Sequence, residues 1–126
     1  MNKIRFQVQL TTENIVQYAH SIASPLQRIG GAAVAPSTMP VTFWKTADVP
    51  WLPLKAAMIH GTQQFTYHAP LMAGMNLNCE LSLVAVKHKA GRSGLLMFYT
   101  HSLICYHRDK PIAEAETVLI GRGEMI

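Results

Sequence analysis

His60 and His68 fall on one parity of a strand-like stretch, with Thr62, Gln64 and Thr66 between them. In an extended chain every second side chain points to the same face, so this row predicts a polar wall carrying two imidazoles. Histidine titrates near neutrality, which makes His60 and His68 the candidates for acid/base work. Catalysis by an imidazole also needs a carboxylate or nucleophile within reach, and none stands beside either residue in the sequence. A solvated or interfacial strand face with satisfied hydrogen bonds accounts for the row more simply. Cys79 and Cys105 each lie in an apolar, strand-like run and read as small buried hydrophobes rather than nucleophiles or a disulfide. No C-x-x-C or H-E-x-x-H spacing occurs, so the sequence offers no metal site.

The elements that must hold such residues follow from periodicity. Residues 4–10 alternate apolar and polar side chains, which predicts a half-buried strand with one wet face. Thr11 and Thr12 offer an N-cap, and Glu13 falls in the first turn, where a carboxylate suits the helix dipole. Ile15, Tyr18, Ala19 and Ile22 follow at helical spacing and predict a helix of about three turns, ending near Ser24-Pro25. Gly30-Gly31 and Pro36 mark a loop. Residues 37–45 are apolar almost all round, with Pro40 tolerated in a first turn, and predict a short, deeply buried helix. Residues 50–53, with Pro50, Trp51 and Pro53, break it with a rigid aromatic loop.

Beyond Met58 the chain reads as strand after strand, over residues 58–68, 76–88, 95–107 and 112–121. Residues 89–94 predict a glycine-containing hairpin loop and residues 108–111 a turn. Strand, helix, buried helix and then four strands predict an α+β domain, an antiparallel β-sheet wrapped around a central helix, with residues 1–126 as a single domain.

Composition agrees with a compact domain. Hydrophobic residues make up 49% of the 126 positions and charged residues 14%, which excludes a disordered chain. No apolar run approaches the ~20 residues of a membrane-spanning helix. The first residues lack the apolar stretch of a secretory signal, so a cytoplasmic protein is expected. The formal charge is +4, but the basic residues are scattered, apart from Lys87, Lys89 and Arg92 near one turn and Arg108 and Lys110 near another. Neither group carries the interleaved aromatics of a nucleic-acid platform, so no nucleic-acid partner is expected.

Three stretches carry a family resemblance. Residues 30–40, from Gly30-Gly31 to Pro40, are the first, and the closing strand from Ala113 to Arg122 is another. The most specific is the block Gly61-Thr62-Gln63-Gln64-Phe65-Thr66-Tyr67-His68 within residues 59–74. Together they resemble the N-terminal, non-catalytic domain or subunit of MaoC-like (R)-hydroxyacyl-thioester dehydratases of the hot-dog superfamily. The resemblance implies a hot-dog fold, side-by-side pairing of two such domains, and acyl-thioester substrates bound at their junction. Coenzyme A or phosphopantetheine would then be part of the substrate, and no separate cofactor is implied.

Active members of that family carry an Asp and a His five residues apart in the loop entering the central helix. Residues 21–40 contain no Asp, Glu or His, so the dyad is absent. The resemblance therefore implies an accessory subunit that binds an acyl-thioester and pairs with a catalytic hot-dog subunit. Met39, Trp44, Trp51, His60, Gly61 and Gln63 are its candidate substrate-binding residues, and His60 and His68 the weak catalytic candidates. Lys87, Lys89, Arg92 and Arg122 suit coenzyme A phosphates or plain surface charge equally. Two alternatives stay open: a stand-alone hot-dog thioesterase and a homodimeric acyl-thioester binding module. For the thioesterase, Glu80, Glu114 and Glu116 lie in strands rather than at a helix entry.

Overall fold

The computed structural model describes residues 2–44, 48–52, 58–92 and 94–122. The elements run β1 Lys3–Gln9, α1 Thr12–Ser21, β2 Gln27–Ile29, β3 Ala32–Val34, a 3-10 turn Met39–Thr42, β4 Ile59–Tyr67, β5 Asn76–Gly91, β6 Gly94–His107 and β7 Lys110–Arg122. Five strands form one antiparallel sheet in the order β1-β5-β6-β7-β4. The long hairpins β5–β6 and β6–β7 are local in sequence, and β1 and β4 close the two edges.

The helix starts where a side chain can satisfy its free amides. Thr11 is the N-cap: its Oγ1 accepts from the Asn14 amide at 3.0 Å, while Asn14 Oδ1 accepts from the Thr11 amide at 2.9 Å. Such a reciprocal cap is worth roughly 1 kcal/mol. Ile15 and Ala19 are the buried positions of α1. Ile15 joins Leu10, Met39, Phe43 and Leu71 against the inner face of the sheet, where Leu77, Cys79, Leu81, Leu103, Cys105, Ala113 and Ala115 lie.

Three expectations need correction. Residues 37–45 do not form a buried helix. The described part is the 3-10 turn Met39–Thr42, and Thr38 makes no side-chain cap bond. The β-branched pair Val41 and Thr42 lowers helix propensity, and the backbone bonds made, Val41 to Thr38 and Phe43 to Pro40, span three residues as in a 3-10 turn. The end of that run, residues 45–47, lies outside the described residues, as does Pro53 in the aromatic loop. The loop expected from Gly30-Gly31 to Pro36 is interrupted by strand β3, Ala32–Val34, and Gly30-Gly31 is the tip of the hairpin β2–β3, with φ of 57° and 84°. Positive φ at both central residues is what a tight hairpin turn asks of glycine. Finally, the expected loop at 89–94 is mostly strand, since β5 continues to Gly91 and β6 begins at Gly94.

Candidate functional site

Across the middle of the sheet one inner-face row runs Leu83, His101, Thr117, Gln63, on β5, β6, β7 and β4 in turn. The row above it is Leu81, Leu103, Ala115, Phe65, entirely apolar. A polar row at this depth needs its hydrogen bonds made inside the protein. His101 is 0% exposed, and both ring nitrogens have partners. Nε2 lies 2.9 Å from the indole Nε1 of Trp51, and Nδ1 lies 3.1 Å from the carbonyl oxygen of Tyr99. An indole N–H only donates, so Nε2 accepts and Nδ1 carries the hydrogen given to Tyr99. His101 is thus a neutral imidazole. Burial holds its pKa below the usual histidine value, against the opposing pull of hydrogen bonds to the Tyr99 and Thr117 backbone.

Aromatic rings flank this imidazole. The Trp44 ring centroid lies 5.0 Å from that of His101, tilted by 37°, and the Trp51 centroid lies 6.0 Å away at 29°. On the other side Thr117 Oγ1 donates to Gln63 Oε1 at 2.7 Å, and His60 Nε2 lies 2.8 Å from the same oxygen. The Gln63 Nε2 group is buried and has no hydrogen-bond partner among the described residues.

His60 reaches Gln63 because β4 is irregular. Its register shifts between His60 and Thr62, so Gly61 forms a bulge. An extra residue reverses the parity of everything before it. His60, opposite Leu119, therefore shares the inner face with Gln63 rather than the outer face with Thr62, Gln64 and Thr66. The expected wall of two histidines does not exist.

His68 stands at the far end of β4, beside a cleft of about 630 Å³ lined by Ile22, Pro36, Ser37, Thr38, Tyr67 and Leu71 among others. The Tyr67 hydroxyl donates to the carbonyl of Ser37, and the hydroxyls of Tyr18 and Thr38 are 2.7 Å apart. Burial, the largest cause, raises the pKa of Tyr67, so its hydroxyl stays protonated. His68 has a carboxylate partner after all: its Nε2 lies 3.0 Å from Glu114 Oε2, both side chains well exposed. That pair joins residues 46 positions apart and is invisible to local spacing.

The structure thus brings Trp44 and Trp51 together on His101, and His60 and Gln63 together on one hydrogen bond, with Gly61 as the bulge between them. Met39 is buried in the core at 5% exposure. Lys87, Lys89, Arg92 and Arg122 are exposed. Residues 21–40 contribute no acidic or imidazole group to either place, and among the described residues no three His, Cys, Asp or Glu gather as a metal site would require. Sequence reasoning missed His101, Thr117 and Tyr67 as members of the candidate site. The available signal for His101 was its parity: in β6 it shares a face with Leu103 and Cys105, where a lone imidazole needs a partner.

The FAS1-like, dehydratase domain region family matches residues 4–115. A UPF0336 protein of Saccharopolyspora erythraea is 29% identical over 127 residues, covering 88% of this chain and 80% of that protein. Among solved structures, the C-terminally truncated HadBC (3R-hydroxyacyl-ACP dehydratase) complex of Mycobacterium tuberculosis superposes with a TM-score of 0.70 at 20% identity, over 94% of each chain. The ChsH1–ChsH2 complex of Mycobacterium tuberculosis gives 0.67 at 15% identity, over 98% of this chain and 84% of that one. At such identities the likeness is one of fold, and the fold is the hot-dog α+β domain. No helix among the described residues is long and apolar enough to cross a membrane.

Proposed function

This chain belongs to the FAS1-like dehydratase domain region family, and from that premise we propose that it is an accessory, non-catalytic subunit of an acyl-thioester hydratase/dehydratase. It binds the acyl or pantetheine arm and pairs with a catalytic hot-dog subunit. One observation carries this reading: a dehydratase-like body whose residues 21–40 hold no Asp, Glu or His. Hydration across a thioester-conjugated double bond needs a base for water and an acid for the α-carbon. The two imidazoles on the inner face beside Gln63 are otherwise engaged. His101 has both nitrogens bonded, and His60 is held on Gln63.

Two features support the binding and pairing roles. The cleft beside Tyr67 and Leu71 mixes apolar walls with the hydroxyls of Ser37 and Thr38, as suits an arm carrying amides. Among the described residues strand β4 pairs with β7 on one side only, and its other edge is a template for a second sheet. The test is hydration of crotonyl-CoA by the purified chain, alone and with a candidate catalytic hot-dog subunit. Inactivity alone with activity on addition is expected; turnover by the chain alone would overturn the reading.

A second reading, a stand-alone acyl-thioester hydrolase, draws on the His68–Glu114 pair at the cleft rim. An imidazole oriented by a carboxylate is able to activate water. Release of free thiol from acyl-CoA, lost in Glu114→Gln and His68→Ala, would favour it over the accessory role.

A further inference from the structure

The hydrogen bond from Trp51 to His101 spans 50 residues. Among the described residues it is the one side-chain hydrogen bond tying the segment 48–52 to the sheet. The segment's backbone bond, Leu52 to Val49 at 3.2 Å, is internal to it. The indole therefore acts as a peg and the imidazole as its socket. The socket has a specific requirement: Nε2 accepts the indole proton only while it carries none of its own. We propose that the Trp51–His101 pair is a proton-operated latch, which holds the segment 48–52 over the inner face when His101 is neutral and releases it when His101 is protonated.

Geometry supplies the rest of the device. His101 already gives its Nδ1 hydrogen to Tyr99, so a second proton has only Nε2 to occupy, facing an N–H. Release exposes His101, on which Trp51 sits, in the same inner-face row as Thr117 and Gln63. The titratable neighbours of His101 are few. On the inner face β6 presents Tyr99 and Cys105, β5 presents Cys79 and His88, and β4 presents His60, which reaches the row through Gln63. Glu114 and Glu116 of β7 precede Thr117 but alternate to the opposite face, and Asp48 of the segment is exposed. Among the described residues no inner-face carboxylate is there to hold a charged imidazole in place, and burial outweighs the Tyr99 and Thr117 backbone hydrogen bonds that favour the charged ring, so protonation ends in opening. Burial, which disfavours the charged ring, puts that event below the usual histidine range.

The test follows the Trp51 indole N–H resonance and the His101 imidazole nitrogens by NMR as the protein is acidified from about pH 8 to about pH 5. The expected result is loss of the hydrogen-bonded indole shift in step with protonation of His101 Nε2, reversible and with β-sheet circular dichroism retained. His101→Gln, whose amide oxygen accepts the indole proton but does not titrate, is expected to keep the bonded shift throughout. Should that variant not fold, the wild-type imidazole decides alone. A bonded indole that persists after Nε2 is protonated, an Nε2 already protonated at about pH 8, or an indole shift that moves without His101 titrating would each overturn the latch.

Discussion

A Cβ placed on Gly61 would lie 2.9 Å from Cδ1 of Ile120, the residue of β7 whose side chain packs over the bulge. The Val118 carbonyl oxygen is 3.2 Å from the same point, and backbone yields less than a side-chain tip. Gly61→Ala is therefore expected to cost about 1–3 kcal/mol, by overpacking. Gly121→Ala meets the end of the flexible Met58 side chain, and a smaller loss is expected. Urea denaturation of the two variants checks the order.

Cys79 and Cys105 face each other across β5 and β6 with sulfurs 3.7 Å apart, each 1% exposed. Their mutual hydrogen bond and burial push the Cys105 thiol well above its ordinary range. Thiolates react and thiols do not. Native protein is expected to resist a thiol-specific disulfide reagent at neutral pH, and denatured protein to titrate both cysteines. Rapid release from the native fold would contradict the buried pair.

Tyr67 ties β4 to the loop at Ser37 through its hydroxyl. Tyr67→Phe removes one hydrogen bond from a partly buried group and leaves a carbonyl that water is able to reach. A loss of about 0.5–1.5 kcal/mol is expected in thermal or urea unfolding. Since Tyr67 and Ser37 both line the cleft, acyl-CoA binding measured by calorimetry is expected to weaken by more than the stability loss explains.

Acidification acts on stability through two groups. His101 binds its proton less well folded than unfolded, so the unfolded chain takes up protons first as the pH drops. Its contribution is complete above the ordinary value of 6.5 and is lost as the pH falls from there toward the lower folded value. Glu80 is held below its ordinary 4.5 by the hydrogen bond from Arg5, with further help from Lys3 and Tyr106. Its contribution is present above that value and fades as the pH falls through the lowered one. Arg5 is 75% exposed, so this pair is worth about 0–1 kcal/mol. Urea midpoints measured against pH are expected to fall first below about pH 6.5, a step missing in His101→Gln, and again in the carboxylate range.

Much of the fold was legible because its signals are local. Alternation over residues 4–10 marked β1, Thr11 marked the start of α1, and the long hairpins brought successive strands together without distant information. The site was less legible. Gly61 reads as an ordinary strand glycine until its register with β7 is known, and that one extra residue moved His60 to the other face. Trp51, the distant partner of His101, and Glu114, the partner of His68, lie 50 and 46 residues away, beyond any local spacing rule. The buried helix expected at 37–45 failed for a different reason: apolarity on all sides reports burial, not backbone conformation.

Ile59 begins the edge strand β4 and is 68% exposed, beside Ile120 on the outer face. An open strand edge with a large apolar side chain invites pairing with another sheet, and a charge on such an edge prevents it. The isolated chain is expected to self-associate with rising concentration, as judged by sedimentation velocity. Ile59→Lys is expected to shift it toward the monomer. Because the side chain is mostly in solvent, unfolding stability should change by no more than about 0.5 kcal/mol. If the same substitution also blocks activation of a catalytic hot-dog subunit, the edge that self-associates is the edge that pairs. If self-association vanishes while activation survives, the partner docks elsewhere on the domain.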